Sequence, residues 1–264
     1  MEIAGYIASI LIGISLGLIG GGGSILTVPV LVYLFSVDAV LATGYSLFIV
    51  GTTSAIGSVN YFRKNLVNIK TAIIFGIPSI IAVFLTRAYI VPAIPNDILH
   101  IGELVITKNL FIMALFAVLM LAASFSMIKK STIAVDAENG VQKFNYPLII
   151  VEGIVVGTLT GIVGAGGGFL IIPALVILSK LPMKEAIGTS LVIIAAKSLI
   201  GFLGESFETL DWNFLLSVSA FAIVGIFIGT ALSKRVDGDK LKPAFGWFVL
   251  VMGIYILIKE FFFQ

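Results

Sequence analysis

The amino-acid sequence predicts an all-α polytopic membrane protein made of two inverted repeats of five segments. Each repeat opens with a glycine-tipped helical hairpin that is re-entrant or half-length. Three observations predict this: an apolar composition, an internal duplication, and a one-sided distribution of lysine and arginine. Of the 264 residues, 59 % are hydrophobic and 11 % charged, whereas an ordinary soluble domain is about 25 % charged. Apolar runs of roughly membrane-spanning length follow one another from end to end. A water-soluble domain is excluded, the lipid bilayer is the implied surroundings, and no nucleic-acid partner is expected.

Composition narrows the chemistry as well. There is no cysteine, so a disulfide, a thiolate nucleophile and a cysteine metal site are all excluded. The one histidine, His100, stands alone in a loop, and carboxylates are scarce inside the apolar runs. No metal and no cofactor is expected. The first apolar segment follows Glu2 rather than a positive stretch, and it belongs to the repeat. It is therefore expected to be mature structure and not a cleaved signal.

The duplication is read from "GLIGGGGSILTVPVL", Gly17 to Leu31, and "GIVGAGGGFLIIPAL", Gly161 to Leu175. An offset of 144 residues holds without gaps from Gly13/Gly157 to Gly57/Gly201, with 18 identities in 45 positions. They include Gly20/Gly164, Gly22/Gly166, Gly23/Gly167, Pro29/Pro173, Gly44/Gly188, Ser46/Ser190 and Ser54/Ser198. Shared hydrophobicity does not align glycine, proline and serine, so an internal repeat is the simplest account. The expected organisation is a first transmembrane repeat over 1–128, a cytoplasmic linker over 129–146 and a second repeat over 147–264.

Each half divides into five apolar segments. The first has Ile3–Ile19, Ser24–Phe35, Ala39–Phe62, Ile69–Ile94 and Asn109–Ile128. The second has Pro147–Val163, Phe169–Leu178, Met183–Gly204, Asn213–Ser233 and Leu241–Phe263. The second segment of each half is too short to span, since a helix rises about 1.5 Å per residue against a core of about 30 Å. Either the first two segments form one broken crossing, or they form a hairpin, which makes the halves inverted. Cytoplasmic loops collect lysine and arginine, and this decides between the two. In the hairpin arrangement one side receives Arg63, Lys64, Lys70, Lys129, Lys130, Lys143, Lys180, Lys184, Lys234, Arg235, Lys240 and Lys242. The other side receives Lys108 and Lys259 with Asp38, Asp97, Glu103, Glu205, Glu208 and Asp211. The hairpin arrangement is favoured, in a plasma (inner) membrane protein with both termini extracytoplasmic.

A glycine turn inside the bilayer is costly, because lipid offers no partner to irregular backbone. Such turns are tolerated beside a cavity, where the freed helix ends bind a substrate. The segments after the clusters start at Ser24 and Gly168, with their N-termini at the buried tips. Free N–H groups and the positive dipole end suit an anion, and glycine allows close approach. The candidate substrate-binding positions at the tips are Gly20, Gly21, Gly22, Gly23 and Ser24, with Gly164, Gly166, Gly167 and Gly168. The alternative is that glycines only allow tight helix packing, the reading preferred for Gly13, Gly17, Gly157 and Gly161. Pro29 and Pro173 are placed to kink the short helices or halt their hydrogen bonding.

Lys197 is the second signal, in "MKEAIGTSLVIIAAKSLIGFLG". An intramembrane lysine marks a functional cavity, or else it snorkels to an interface. Its repeat mate is Thr53. Ser46, Thr52, Thr53 and Ser190 join it as candidate binding residues on the third segments, although membrane hydroxyls often bond back to their own helix. No acidic residue lies at comparable depth, which argues against a carboxylate-lined cation path. Arg87, toward the outer end of the fourth segment, reads equally as an entrance attractor or an interfacial anchor.

Two copies of G-x-x-G-x-G-G-[GS], "GLIGGGGS" and "GIVGAGGG", are each followed by proline and then by A-x-G-x-S-L, here "ATGYSLF" and "AIGTSLV". In these the chain resembles the TauE/SafE family of sulfite exporters over nearly its whole length. The resemblance implies transport of small sulfur-containing anions such as sulfite, thiosulfate or organosulfonates, mostly export, with protons as the candidate coupling ion. The residue reading and the resemblance together give a secondary carrier with a mid-membrane oxyanion site. An anion channel on the same site is the alternative. A membrane enzyme would need a nucleophile–base pair, acidic cluster or metal ligand set, and the sequence offers none.

Overall fold

The computed structural model describes residues 2–101, 104–128, 146–177, 181–205, 210–233 and 238–262. The expected linker lies outside them apart from Tyr146. So do Glu103, Lys180, Glu208, Lys234 and Arg235, among the charges used to orient the chain.

The first half comprises α1 (Glu2–Ile19), α2 (Gly22–Tyr33), α3 (Ala39–Arg63) and α4 (Ile69–Leu85). A π-helical stretch over Thr86–Ile90, a single turn α5 (Val91–Ala93), strands β1 (Asp97–Ile101) and β2 (Leu104–Thr107), and α6 (Lys108–Ile128) complete it. The second half comprises α7 (Tyr146–Val163), α8 (Gly168–Ile177), α9 (Met183–Phe202), α10 (Trp212–Leu232) and α11 (Gly238–Phe262). Among the described residues five helices are long and apolar enough to cross a membrane: Ala39–Arg63, Ile69–Ala93, Lys108–Phe125, Met183–Phe202 and Trp212–Leu232. This is a multi-pass helical membrane protein. α2 and α8, with 12 and 10 residues, rise only about 18 and 15 Å.

Caps set several helix starts. The Asp38 side chain accepts from the N–H of Val40 at 2.9 Å, Asn68 from Thr71 at 3.0 Å, and Asp211 from Phe214 at 3.0 Å. Each such cap stabilises a helix by about 1 kcal/mol. Three sequence expectations need correcting. Gly22 and Gly23 belong to the first turn of α2 and not to the turn before it. Pro29 does not end α2, which runs on to Tyr33, because only one intrahelical donor is lost and packing holds the rest. The long loop of the first half, with His100, is an antiparallel hairpin, with Leu99 opposite Ile106 and Ile101 opposite Leu104. Its short alternation is hidden in sequence among longer apolar runs.

α2 doubles back along α1. The ring of Phe35 covers Gly5 and stacks edge-on against Tyr6 at 5.3 Å, while Gly23 lies against the carbonyl of Ile12. α1 runs parallel to α10, with Gly13 against Ala222 and Ile226, and Gly17 against Ile226 and Thr230. α7 runs parallel to α4 in the same manner, with Gly157 against Ser79 and Ala82, and Gly161 against Val83 and Thr86. These four glycines serve close helix packing, since a Cβ on any of them would strike the neighbouring helix.

α3 and α9 are the most enclosed of the five long helices, 67 % and 72 % buried against 39–44 % for the other three. They cross antiparallel: Gly44 faces Glu205, Gly51 faces Leu199, Gly57 meets Leu191, and Gly188 meets Tyr61 and Leu66. Adding 144 turns the Gly44–Glu205 contact into the Gly188–Tyr61 contact. Two hydrogen bonds correspond in a similar way, with their acceptors 144 residues apart and their donors, at the two helix N-caps, 143 apart. The Tyr45 hydroxyl accepts from the Asp211 N–H at 2.7 Å, and Thr189 Oγ1 accepts from the Asn68 N–H at 2.9 Å. Each half thus holds the start of a helix in the other.

Candidate functional site

The glycine clusters meet in the interior. Gly20 has φ +77°, and Gly164, Gly166 and Gly167 have φ +69°, +62° and +70°. This left-handed backbone costs an L-residue with a side chain about 1–2 kcal/mol. The backbones of Gly21 and Gly168 press together so closely that a Cβ on either would overlap the other. Gly20 leans on Ile187 and Ser190, Gly164 leans on Thr43, and Gly166 lies against Val50 and Ser24. Every residue from Gly20 to Ser24 and from Gly164 to Gly168 is buried, so both tips are enclosed throughout.

The start of α2 carries no side-chain cap. The N-termini of α2 and α8, each with its orphan N–H groups and about half a positive charge, are therefore brought together inside the protein. Ser24 does not cap its own helix, since its Oγ donates to the Gly21 carbonyl at 2.7 Å.

Lys197 completes the group. It is fully buried, its Nζ donates to Thr160 Oγ1 at 3.0 Å, and a Cβ on Gly167 would lie 2.5 Å from that Nζ. It does not snorkel. Thr160, one turn before Gly164 on α7, is missed by sequence reasoning, where a lone threonine in an apolar helix carries no signal. No group of three or more acidic or histidine side chains that could hold a metal occurs among the described residues.

The hydroxyls divide. Ser190 Oγ donates to the Ile187 carbonyl at 2.8 Å and reaches the Gly20 carbonyl at 3.3 Å, so it belongs to the first tip. Ser46, Thr53, Ser54 and Ser198 are fully buried, and their hydroxyls have no hydrogen-bond partner among the described residues. The α3–α9 register carries Thr53 to the level of Lys197. Thr52 stands apart: it is half-buried and bonds back to the carbonyls of Phe48 and Ile49 at 2.8 and 3.1 Å.

Arg87 is neither an interfacial anchor nor exposed. It is buried on the π-helical stretch after α4, with Nε 2.7 Å from Glu205 Oε1 and Nη2 donating to Thr43 Oγ1 at 2.8 Å. Among the described residues, cavities lie elsewhere. One of about 250 Å³ is lined by α1, α2 and α11, and one of about 400 Å³ by α3 and α10 near Asn60 and Arg63. Neither is lined by a tip residue, and the buried tips are closed in this conformation.

A multi-pass helical bundle with helix N-termini turned inward is compatible with a membrane transporter, and it is the comparison with known proteins that gives the class. The chain belongs to the sulfite exporter TauE/SafE family, whose model matches residues 6–256. It is 30 % identical over 255 residues to a probable membrane transporter protein of Xylella fastidiosa (strain 9a5c), covering 95 % of this chain and 92 % of the relative. A probable membrane transporter protein of Methanocaldococcus jannaschii is 28 % identical over 267 residues, covering 96 % and 94 %. One of Bacillus subtilis (strain 168) is 26 % identical over 253 residues, covering 94 % and 96 %. No solved structure gives a significant match.

Proposed function

We propose that the protein is a secondary transporter that carries small sulfur-containing anions (sulfite, thiosulfate or an organosulfonate) outward across the plasma membrane by alternating access. The observation that carries this reading is the meeting of two helix N-termini at Gly21 and Gly168, beside the buried ammonium of Lys197. Three sources of positive potential converge there. An anion about 5 Å from an ammonium gains about 3 kcal/mol at an effective dielectric near 20. Gly20 to Gly23, Ser24, Gly164, Gly166, Gly167, Gly168, Ser190 and Lys197 form the site, with Ser46 and Thr53 as further donors. Thr52 joins only if its helix turns during the cycle.

In this reading the halves are inverted repeats. The antiparallel crossing of α3 and α9, with contacts that exchange under the 144-residue offset, supports it. The two hairpins re-enter from opposite faces, both termini are extracytoplasmic, and the halves rock about α3 and α9 to expose the tips in turn. Protons are the coupling ion.

The test is flux of labelled sulfite, thiosulfate and simple sulfonates in proteoliposomes, with and without a pH gradient. Saturable flux with counterflow is expected of a carrier. Unsaturable flux without counterflow would assign the same site to a channel, and no flux of any sulfur anion would reject the substrate class.

A further inference from the structure

The geometry points to a second anion station, at Arg87, where the Glu205 carboxylate occupies the place of the transported oxyanion and closes that end of the route. Arg87 is fully buried, yet its guanidinium is incompletely used. Nη2 bonds Thr43, Nε faces Glu205, and Nη1 has no partner among the described residues. A guanidinium presents five donors in a planar fork that matches a carboxylate, sulfonate or sulfite equally well. The carboxylate is the more accessible member, 17 % exposed against 0 % for the arginine side chain. It rests in a notch where Gly44 has no side chain, since a Cβ there would lie 3.0 Å from its Cδ and Oε2. Lys108 stands within electrostatic range of Arg87 and Glu205, and also of Asp38.

The pair also joins the two halves, Arg87 from the first and Glu205 from the second. A motion that separates α4 from α9 must break it. The duplicated scaffold does not call for it: the repeat mates of Arg87 and Glu205 are Ala231 and Tyr61. At the opposite end of the α3–α9 crossing, Gly188 meets the Tyr61 ring and the Leu66 carbonyl. One end is therefore closed by a ring and backbone, and the other by an ion pair that an oxyanion can replace. π-Helical insertions such as the one under Arg87 recur at functional sites.

This deepens the transport reading and rests on it only for the nature of the anion. The chain is free of cysteine, so a single introduced thiol can serve as reporter. Leu47 is fully buried, a turn inward of Gly44, beside Gly201. In purified protein carrying Leu47→Cys, reaction with the anionic reagent sulfonatoethyl methanethiosulfonate is expected to be slow. Adding Glu205→Gln should speed it about tenfold, the size of a typical coupling between sites. Glu205→Asp, which keeps the charge but shortens its reach, should give an intermediate rate and decides the matter if the glutamine variant does not assemble. Methanesulfonate should protect the reporter thiol in the Glu205→Gln protein, and Arg87→Gln should abolish that protection. Unchanged labelling in assembled Glu205 variants would overturn the proposal, and so would faster labelling that methanesulfonate does not slow. Lys197→Ala should leave this labelling and its protection intact, so failure at the central site is read separately.

Discussion

The two glycine tips share a motif but not a geometry. The first, Gly20 to Ser24, turns on one left-handed residue, Gly20, and enters α2 directly at Gly22. The second, Gly164 to Gly168, needs left-handed backbone at Gly164, Gly166 and Gly167 before α8 begins. The first tip is held by the Ser190 hydroxyl, whereas the second lies against an ammonium. The difference separates two roles of a duplicated sequence. What the repeats share, Gly20/Gly164, Gly44/Gly188 and the acceptors at Tyr45 and Thr189, builds the scaffold. What they do not share, Lys197, Arg87 and Glu205, supplies the charge that an anion would meet.

Substitutions at the tips break the comparison most severely. Gly21→Ala or Gly168→Ala puts a methyl group into the facing backbone, which has no rotamer with which to yield. Loss of monodisperse protein on size-exclusion chromatography is the expected outcome. Gly167→Ala should destabilise more than Gly20→Ala in thermal unfolding. Left-handed backbone costs both about 1–2 kcal/mol, and a Cβ on Gly20 overlaps Ile187 at 2.6 Å, but one on Gly167 overlaps two side chains, Thr160 and, at 2.5 Å, Lys197. Equal shifts for the two would mean that the tips are mechanically equivalent.

Much of this is legible in the sequence because glycine, proline and serine keep their positions through a duplication. The offset locates both tips, the short helices and the central α3–α9 pair. Depth along an apolar run does not say which face of a helix a residue occupies, however. Arg87 therefore reads in sequence as no more than an entrance or an anchor, and its partner Glu205 lies in the other half, reachable only through tertiary packing. Thr160 escapes for the same reason. Thr52 looks like its neighbours Thr53 and Ser54, but its hydroxyl is turned back onto its own helix.

Smaller effects sharpen the division between scaffold and site. Tyr45→Phe removes the acceptor for the Asp211 N–H and should cost about 1 kcal/mol of stability, with the affinity for anion unchanged. Thr52→Ala removes only back-bonds to Phe48 and Ile49. It should alter stability by less than about 0.5 kcal/mol and leave flux as it is. A marked loss of flux in Thr52→Ala would return Thr52 to the site.

The central claim is that an anion binds between the glycine tips and Lys197. Its most direct test compares flux of labelled sulfite through proteoliposomes of wild type and Lys197→Ala, at equal amounts of monodisperse protein. A fall of at least about tenfold, equivalent to about 1.4 kcal/mol of lost stabilisation, is predicted. Unchanged flux in the variant would remove Lys197 from the site and contradict the account.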